Sequence, residues 1–197
     1  VYARGYHFLM PFTQIRPQQL DLATNEERCV IPGHIWVPRD DYSCVVYNWI
    51  YSYDEHPLRE ADRLETNLGN GPEYVDEEHG YISKASRANN WNIDRSIQRT
   101  ETFTGIKGIN AQDRAVQESM GAIVDRTKEH LGPADTAVIA MRRLLRQAIR
   151  DVEAGGNPLG ASDASFGVRA NELILPAGSN WRRELIPLMD PREAVPA

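Results

Sequence analysis

Aromatic, β-branched and aliphatic side chains crowd the first fifteen residues, VYARGYHFLMPFTQI, as expected of a strand. Pro11 removes a ladder donor, so a bend or an edge is expected there. After the polar stretch RPQQLDLATNEER come two apolar runs, CVIPGHIWVPRD and SCVVYNWIYSYD, joined through the turn-rich RDDYS. That arrangement predicts an antiparallel hairpin. In the second run Val45, Tyr47, Trp49 and Tyr51 share one face, and Cys44, Val46, Asn48, Ile50 and Ser52 share the other. Both faces are largely apolar, which predicts a strand covered on both sides or one lining a cavity.

Helical patterning takes over further on. A short helix is expected from Pro57 to Leu64, with proline in its favoured first turn. The stretch ETNLGNGPEYVDEEHGYISKASRANNWNIDRS has little periodicity and reads as a long loop, one of the kind that borders a pocket entrance or an interface. Trp91 and Ile93 anchor its end to the body. From Ala134 to Ala154, residues Ala137, Met141, Leu144, Ala148 and Val152 form one stripe, with Val138, Leu145 and Ile149 beside it. Pro133 and Asp135 at one end and Gly155-Gly156 at the other supply start and stop chemistry. A long amphipathic helix after an antiparallel sheet predicts an α+β layer with the helix lying across the sheet. The body is expected over 1–160, and residues 161–197 read as a tail wrapping the surface.

Composition narrows the functional classes. The 197 residues carry 22 Lys and Arg against 28 Asp and Glu, a net charge of -6, which argues against nucleic acid as a partner. No apolar stretch approaches the roughly 20 residues of a bilayer span, so a cytoplasmic protein without a membrane partner is expected. Cys29 and Cys44 lie in apolar runs and read as free buried thiols. The chain begins at Val1, inside a strand pattern, as a fragment of a longer protein would.

GINAQDRAVQESMGAIVDRTKEHLG, residues 108–132, places four acids and one internal glycine, Gly121, on an otherwise helical pattern. Locally, Asn110 followed by Asp113 fits an N-cap with an acid at the third helical position. Glu118, Asp125 and Glu129 read as solvated acids pairing with Arg114, Arg126 or Lys128 at helical spacing.

A second reading of Asp113 comes from resemblance. HFLMPF, GHIWVPRDD, NNWNIDRSIQRTETFTGIKGINAQDRAVQESMGAIVDRTKEHLG and RRLLRQAIRDVEAG, over about residues 4–160, resemble the C-terminal catalytic part of Rieske-type nonhaem iron oxygenase alpha subunits of the phthalate dioxygenase-like kind. The resemblance implies a helix-grip fold, incomplete here at its N-terminus. It also implies a mononuclear Fe(II) held by two histidines and one aspartate, and a Rieske [2Fe-2S] cluster in a preceding domain. Asp113 corresponds to the iron-binding aspartate. Such a carboxylate leaves open positions on Fe(II) for O2 beside the substrate and offsets part of the metal's charge. The implied activity is hydroxylation or O-demethylation of an aromatic substrate. Electrons would come from NAD(P)H through a reductase, and the subunits would form a homotrimer.

The chain departs from the family pattern at the other ligands. The family's histidines lie in a His-x(4)-His-like arrangement, whereas His7, His34, His56, His79 and His130 are never closer than 22 positions. No Cys-x-His or Cys-x-x-His occurs either, because Cys29 is followed by Ile31 at the first spacing and Cys44 by Tyr47 at the second. Both imidazoles and the cluster are therefore expected upstream of Val1, and the fragment alone is expected to be inactive. For the substrate, Arg4 beside Tyr2, Tyr6 and Phe8 suits a carboxylate in an aromatic pocket, or else stands as an edge cation in water. Asn48, with Val46 and Ile50, is a second pocket candidate. The rival class is a non-enzymatic helix-grip module that binds a small apolar ligand.

Overall fold

The computed structural model describes every residue except 18–19, 22–25, 68, 162 and 190–197. In chain order its strands begin with β1 (Tyr2–Gly5), β2 (His7–Leu9), β3 (Thr13–Ile15), β4 (Leu20–Asp21), β5 (Glu26–Glu27), β6 (Val30–Pro38) and β7 (Cys44–Ser52). Helix α1 (Glu60–Asn67), strands β8 (Val75–Asp76) and β9 (Ile82–Ser83), and helices α2 (Ile109–Ser119) and α3 (Thr136–Glu153) follow. The last elements are β10 (Asn171–Ile174) and α4 (Trp181–Met189). Helices combined with wholly antiparallel strand pairs make this an α+β protein. Among the described residues, no helix is long and apolar enough to cross a membrane. Two units are present: one comprises Val1–Pro38, Cys44–Leu58 and Glu129–Ala197, the other Arg39–Ser43 and Arg59–Lys128.

In the first unit the predicted hairpin forms along its whole length, from Val30 opposite Ser52 to Pro38 opposite Cys44. It extends a four-stranded sheet in the order β2-β3-β6-β7. Gly33 faces Trp49 across the ladder, and the indole fills the place of the missing side chain: a Cβ on Gly33 would lie 2.0 Å from Trp49 Cζ2. The opening run is not one strand. It breaks at Tyr6 and at the cis Met10–Pro11 turn, so β2 and β3 join the four-stranded sheet while β1 pairs with β10. The stretch after residue 160 thus contributes a strand and a helix, and α4 buries Leu185 to 1% exposure.

One buried carboxylate holds β1 to β10. Glu172, 3% exposed, lies directly opposite Arg4 in the ladder, and Arg4 Nε sits 3.3 Å from its Oε2. Tyr2 donates its hydroxyl to the same oxygen, and the Leu20 amide donates to Oε1 at 2.6 Å. A charge this deep is tolerable because several donors converge on it. Removal from water, then the bond given to Glu172, pushes the Tyr2 phenol up to about 12.

Three expectations need correction here. The strand expected to be covered on both faces is an edge: none of the nine residues of β7 is buried, and Cys44 is exposed rather than a core thiol, with Cys29 half-buried. The helix expected from Pro57 starts at Glu60, because the Asp62 carboxylate, 2% exposed, accepts the Arg59 amide at 2.9 Å and fixes the helix start there. Helix α3 forms, but its more covered line runs through Val138, Met141, Arg142, Leu145 and Ala148, leaving Leu144, Ile149 and Val152 open. Arg142 joins that line because both its Nη nitrogens bond Glu129, at 2.5 and 2.9 Å. No residue of α3 is buried.

The second unit contains the β8–β9 hairpin, 3₁₀ turns at Arg87–Asn92 and Arg95–Arg99, and α2. Ile106, Ala111 and Ala115 form its core, with Tyr74, Trp91 and Ile93 packed against them, so the two anchors expected from the sequence do pack.

Two outcomes test this fold. Gly33→Ala would displace the Trp49 ring and destabilise the protein by about 2 kcal/mol, read as a lower urea midpoint at unchanged slope. With its phenol pushed up from 10.0 to about 12, Tyr2 makes a stabilising contribution that is complete below pH 10 and is lost as pH climbs through about 12. Phenolate absorbance should show one of the eight tyrosines ionising late, and Tyr2→Phe should remove that component.

Candidate functional site

Asp113 does not cap its helix. Gly108, at φ 82°, admits the chain into α2 two residues before Asn110, so the first turn holds no acid and Asp113 falls in the second turn. The helical pattern also ends early, at Ser119, followed by Gly121 at φ 98°. Asp125 and Glu129 therefore lie beyond the helix. Asp125 bonds Thr127 and Lys128, the latter at 3.3 Å, whereas Glu129 serves Arg142.

Helix α2 presents two different faces. Ala111 and Ala115 are buried, and Glu118 shares their side at helical spacing. Small side chains let neighbouring backbone approach closely: Gly69, at φ +93°, lies so near that a Cβ there would be 2.5 Å from the Ala111 nitrogen. Arg114 ties the same loop to the helix by donating to the Gly69 carbonyl and, at 3.1 Å, to Asn70 Oδ1. Burial holds its guanidinium below its ordinary value. At the far end, Arg87 Nη2 donates to the Ser119 carbonyl at 2.8 Å, a cation placed at the negative end of the helix dipole.

The opposite face carries Ile109, Asp113, Val116 and Met120 at spacings of four, three and four. The three apolar members are 63%, 62% and 52% exposed, and Asp113 is exposed between them. Among the described residues Asp113 accepts no side-chain hydrogen bond and forms no ion pair. It is a carboxylate in an apolar stripe with its lone pairs uncommitted.

Arg4 and Asn48 belong to the other unit and to different sheets. Arg4 is engaged by Glu172 and by the Pro17 carbonyl, 2.8 Å from Nη2, and lies 5.7 and 5.3 Å from the Tyr2 and Tyr6 rings. It lines a shallow cleft of about 230 Å³ with Val1, Tyr2, Ala3 and Trp181. Asn48 keeps its Oδ1 buried without a hydrogen-bond partner among the described residues.

The histidines are dispersed. His34 stacks on Trp36 at 5.4 Å, His7 meets the Arg169 carbonyl at 2.9 Å, and His79 pairs with Asp76 at 2.9 Å. His56 pairs with Asp54, whose carboxyl is held well below the usual range by Ser52 and then by His56. Among the described residues no three His, Cys, Asp or Glu side chains are grouped to hold a metal ion. Sequence reasoning missed Glu172 and Glu118 as partners of Tyr2, Arg4 and Trp91. The first pairing spans about 170 residues and leaves no local period.

Residues 2–189 match the family described as LigXa C-terminal domain like. The chain is 32% identical over 198 residues to the 3-chlorobenzoate-3,4-dioxygenase oxygenase subunit of Comamonas testosteroni, covering 91% of this chain and 43% of that protein. It is 32% identical over 187 residues to the phthalate 4,5-dioxygenase oxygenase subunit of Pseudomonas putida, covering 92% of this chain and 39% of that protein. The chain thus spans less than half the length of these relatives. The resemblance drawn from GINAQD and its flanks agrees with both matches, and the chain belongs to the LigXa C-terminal domain-like family, whose relatives here are dioxygenase oxygenase subunits.

Proposed function

We propose that this chain is the iron-binding catalytic part of an aromatic ring-hydroxylating oxygenase and that Asp113 is its carboxylate ligand to a mononuclear Fe(II). The observation that carries the proposal is the uncommitted carboxylate of Asp113 between Ile109, Val116 and Met120. An apolar stripe flanking a carboxylate suits a face that is covered in the working protein, and a covered carboxylate needs a partner of opposite charge. As one member of a two-histidine, one-carboxylate set, Asp113 fits: it is anionic, oxygen-donating and unspent by capping. The described residues offer no grouped imidazoles beside it, so the chain's share of the site is this one donor. Bound there, Fe(II) would supply O2 activation at its open positions. A Rieske [2Fe-2S] centre does not fit Cys29 and Cys44, which have no histidine at the required spacing, and belongs to another part of the working enzyme.

Both relatives are named for aromatic carboxylates, so the proposed substrate class is an aromatic acid, hydroxylated with O2 and with electrons from NAD(P)H delivered by a reductase. Asn48 is the proposed polar contact to that substrate, its amide Nδ2 donating to the carboxylate. A helix-grip arrangement with α3 across a completed sheet, a homotrimer and a cytoplasmic location belong to the same proposal.

Asp113→Asn in the full-length protein tests it. The variant should keep its [2Fe-2S] absorption but retain mononuclear iron more weakly by over ~100-fold, beyond the range typical of outer-shell changes. Metal analysis after gel filtration reads the result, and iron retained at the wild-type level would refute the assignment.

A further inference from the structure

Asn90, Trp91 and Asn92 carry φ values of 52°, 49° and 53°. Asparagine enters this left-handed region readily, but tryptophan does so against the clash between Cβ and the following carbonyl oxygen. Three bonds hold the turn in this shape. Ser86 N donates to Asn89 Oδ1 at 2.8 Å, Asn89 Nδ2 to the Lys84 carbonyl at 2.8 Å, and Trp91 N to the Ser86 carbonyl at 2.8 Å.

The strained turn lays one indole along α2. The Trp91 ring packs on the Ile106, Ala111 and Ala115 cluster, and its Nε1 donates to Glu118 Oε2 at 3.2 Å. Arg87 lies 5.8 Å from the centre of the same ring while capping the helix at Ser119. A single side chain therefore bears on the buried side of α2 both through this cluster and through Glu118. Positions 111, 115 and 118 form one face, and 113 lies on the reverse of the helix.

We propose that Trp91 is the positioning residue for Asp113: its indole, fastened at Glu118 and packed against the cluster that contains Ala111 and Ala115, is a strut behind α2 that sets the rotation and depth at which the helix presents the carboxylate. The inference rests on the reading of Asp113 as an iron ligand. A ring serving only to fill the core would need no N–H acceptor at Glu118 and no tryptophan in a left-handed turn.

The test uses the full-length protein with Trp91→Phe, Glu118→Ala, Glu118→Gln and Asp113→Asn side by side. Trp91→Phe keeps most of the ring and loses the N–H. Glu118→Ala removes the acceptor, and Glu118→Gln keeps one. Trp91→Phe and Glu118→Ala should each weaken Fe(II) binding ~10-fold, as outer-shell changes do. They should also broaden the electron paramagnetic resonance signal of the nitric oxide adduct, with thermal midpoint and [2Fe-2S] content near wild type. Glu118→Gln should restore both readouts. If Trp91→Phe and Glu118→Ala bind iron as tightly as wild type with an unaltered signal while Asp113→Asn loses iron, the strut is refuted and the ligand assignment stands. If Asp113→Asn keeps its iron, the ligand assignment fails and the strut falls with it. Should Trp91→Phe not fold, the contrast between Glu118→Ala and Glu118→Gln decides alone.

Discussion

A carboxylate flanked by isoleucine, valine and methionine on a helix surface is a demand on the surroundings. Left in water it leaves three large apolar side chains exposed; covered without a partner it would carry an uncompensated charge. Helix α2 answers half of this demand within the chain. Its small-residue face is docked on the Ile106 core and held by Arg87, Trp91 and Arg114, so the orientation of the Asp113 face is fixed before anything covers it. Such preorganisation is what a metal ligand requires, because geometry that is set by packing need not be bought from metal binding. The one-sided anchoring and the uncommitted carboxylate are thus two consequences of one amphipathic pattern with unlike faces.

The first unit relies on a carboxylate that is buried. Glu172 gathers a phenol, a guanidinium and a backbone amide from three sequence-distant positions, and so ties β10 to β1. That bond set also engages Arg4, whose guanidinium pairs with an internal carboxylate. The four-stranded sheet instead offers polar atoms still to be satisfied, Asn48 Oδ1 and Trp49 Nε1, on opposite faces of its edge strand β7. Orphan atoms of this kind sit where further contacts are made, since buried polar groups in working proteins are almost always paired.

Much of the architecture was legible because it is local. The β6–β7 hairpin follows from two alternating runs and a turn-rich joint, and the existence of α3 from a stripe with clear ends. Boundaries failed where a single side chain or glycine outweighed the pattern: Gly108 admits the chain early into α2, and Asp62 delays α1. The covered line of α3 differs from the apolar stripe because Arg142, outside that stripe, is held by Glu129. Asp113 as a cap was the best local reading and is wrong geometrically. Its other reading came from resemblance, since no spacing within the chain points to a metal. Trp91 was legible as an anchor, but its left-handed backbone and its bond to Glu118 depend on a turn that no periodicity encodes.

The central claim is that the Asp113 carboxylate meets iron. Crystals of the full-length protein prepared anaerobically with Fe(II), with diffraction recorded on both sides of the iron absorption edge, address it most directly. The account predicts a mononuclear anomalous peak within coordinating distance of an Asp113 oxygen, with Ile109, Val116 and Met120 covered around it. A mononuclear iron peak bound by other residues, with Asp113 facing solvent, would contradict it.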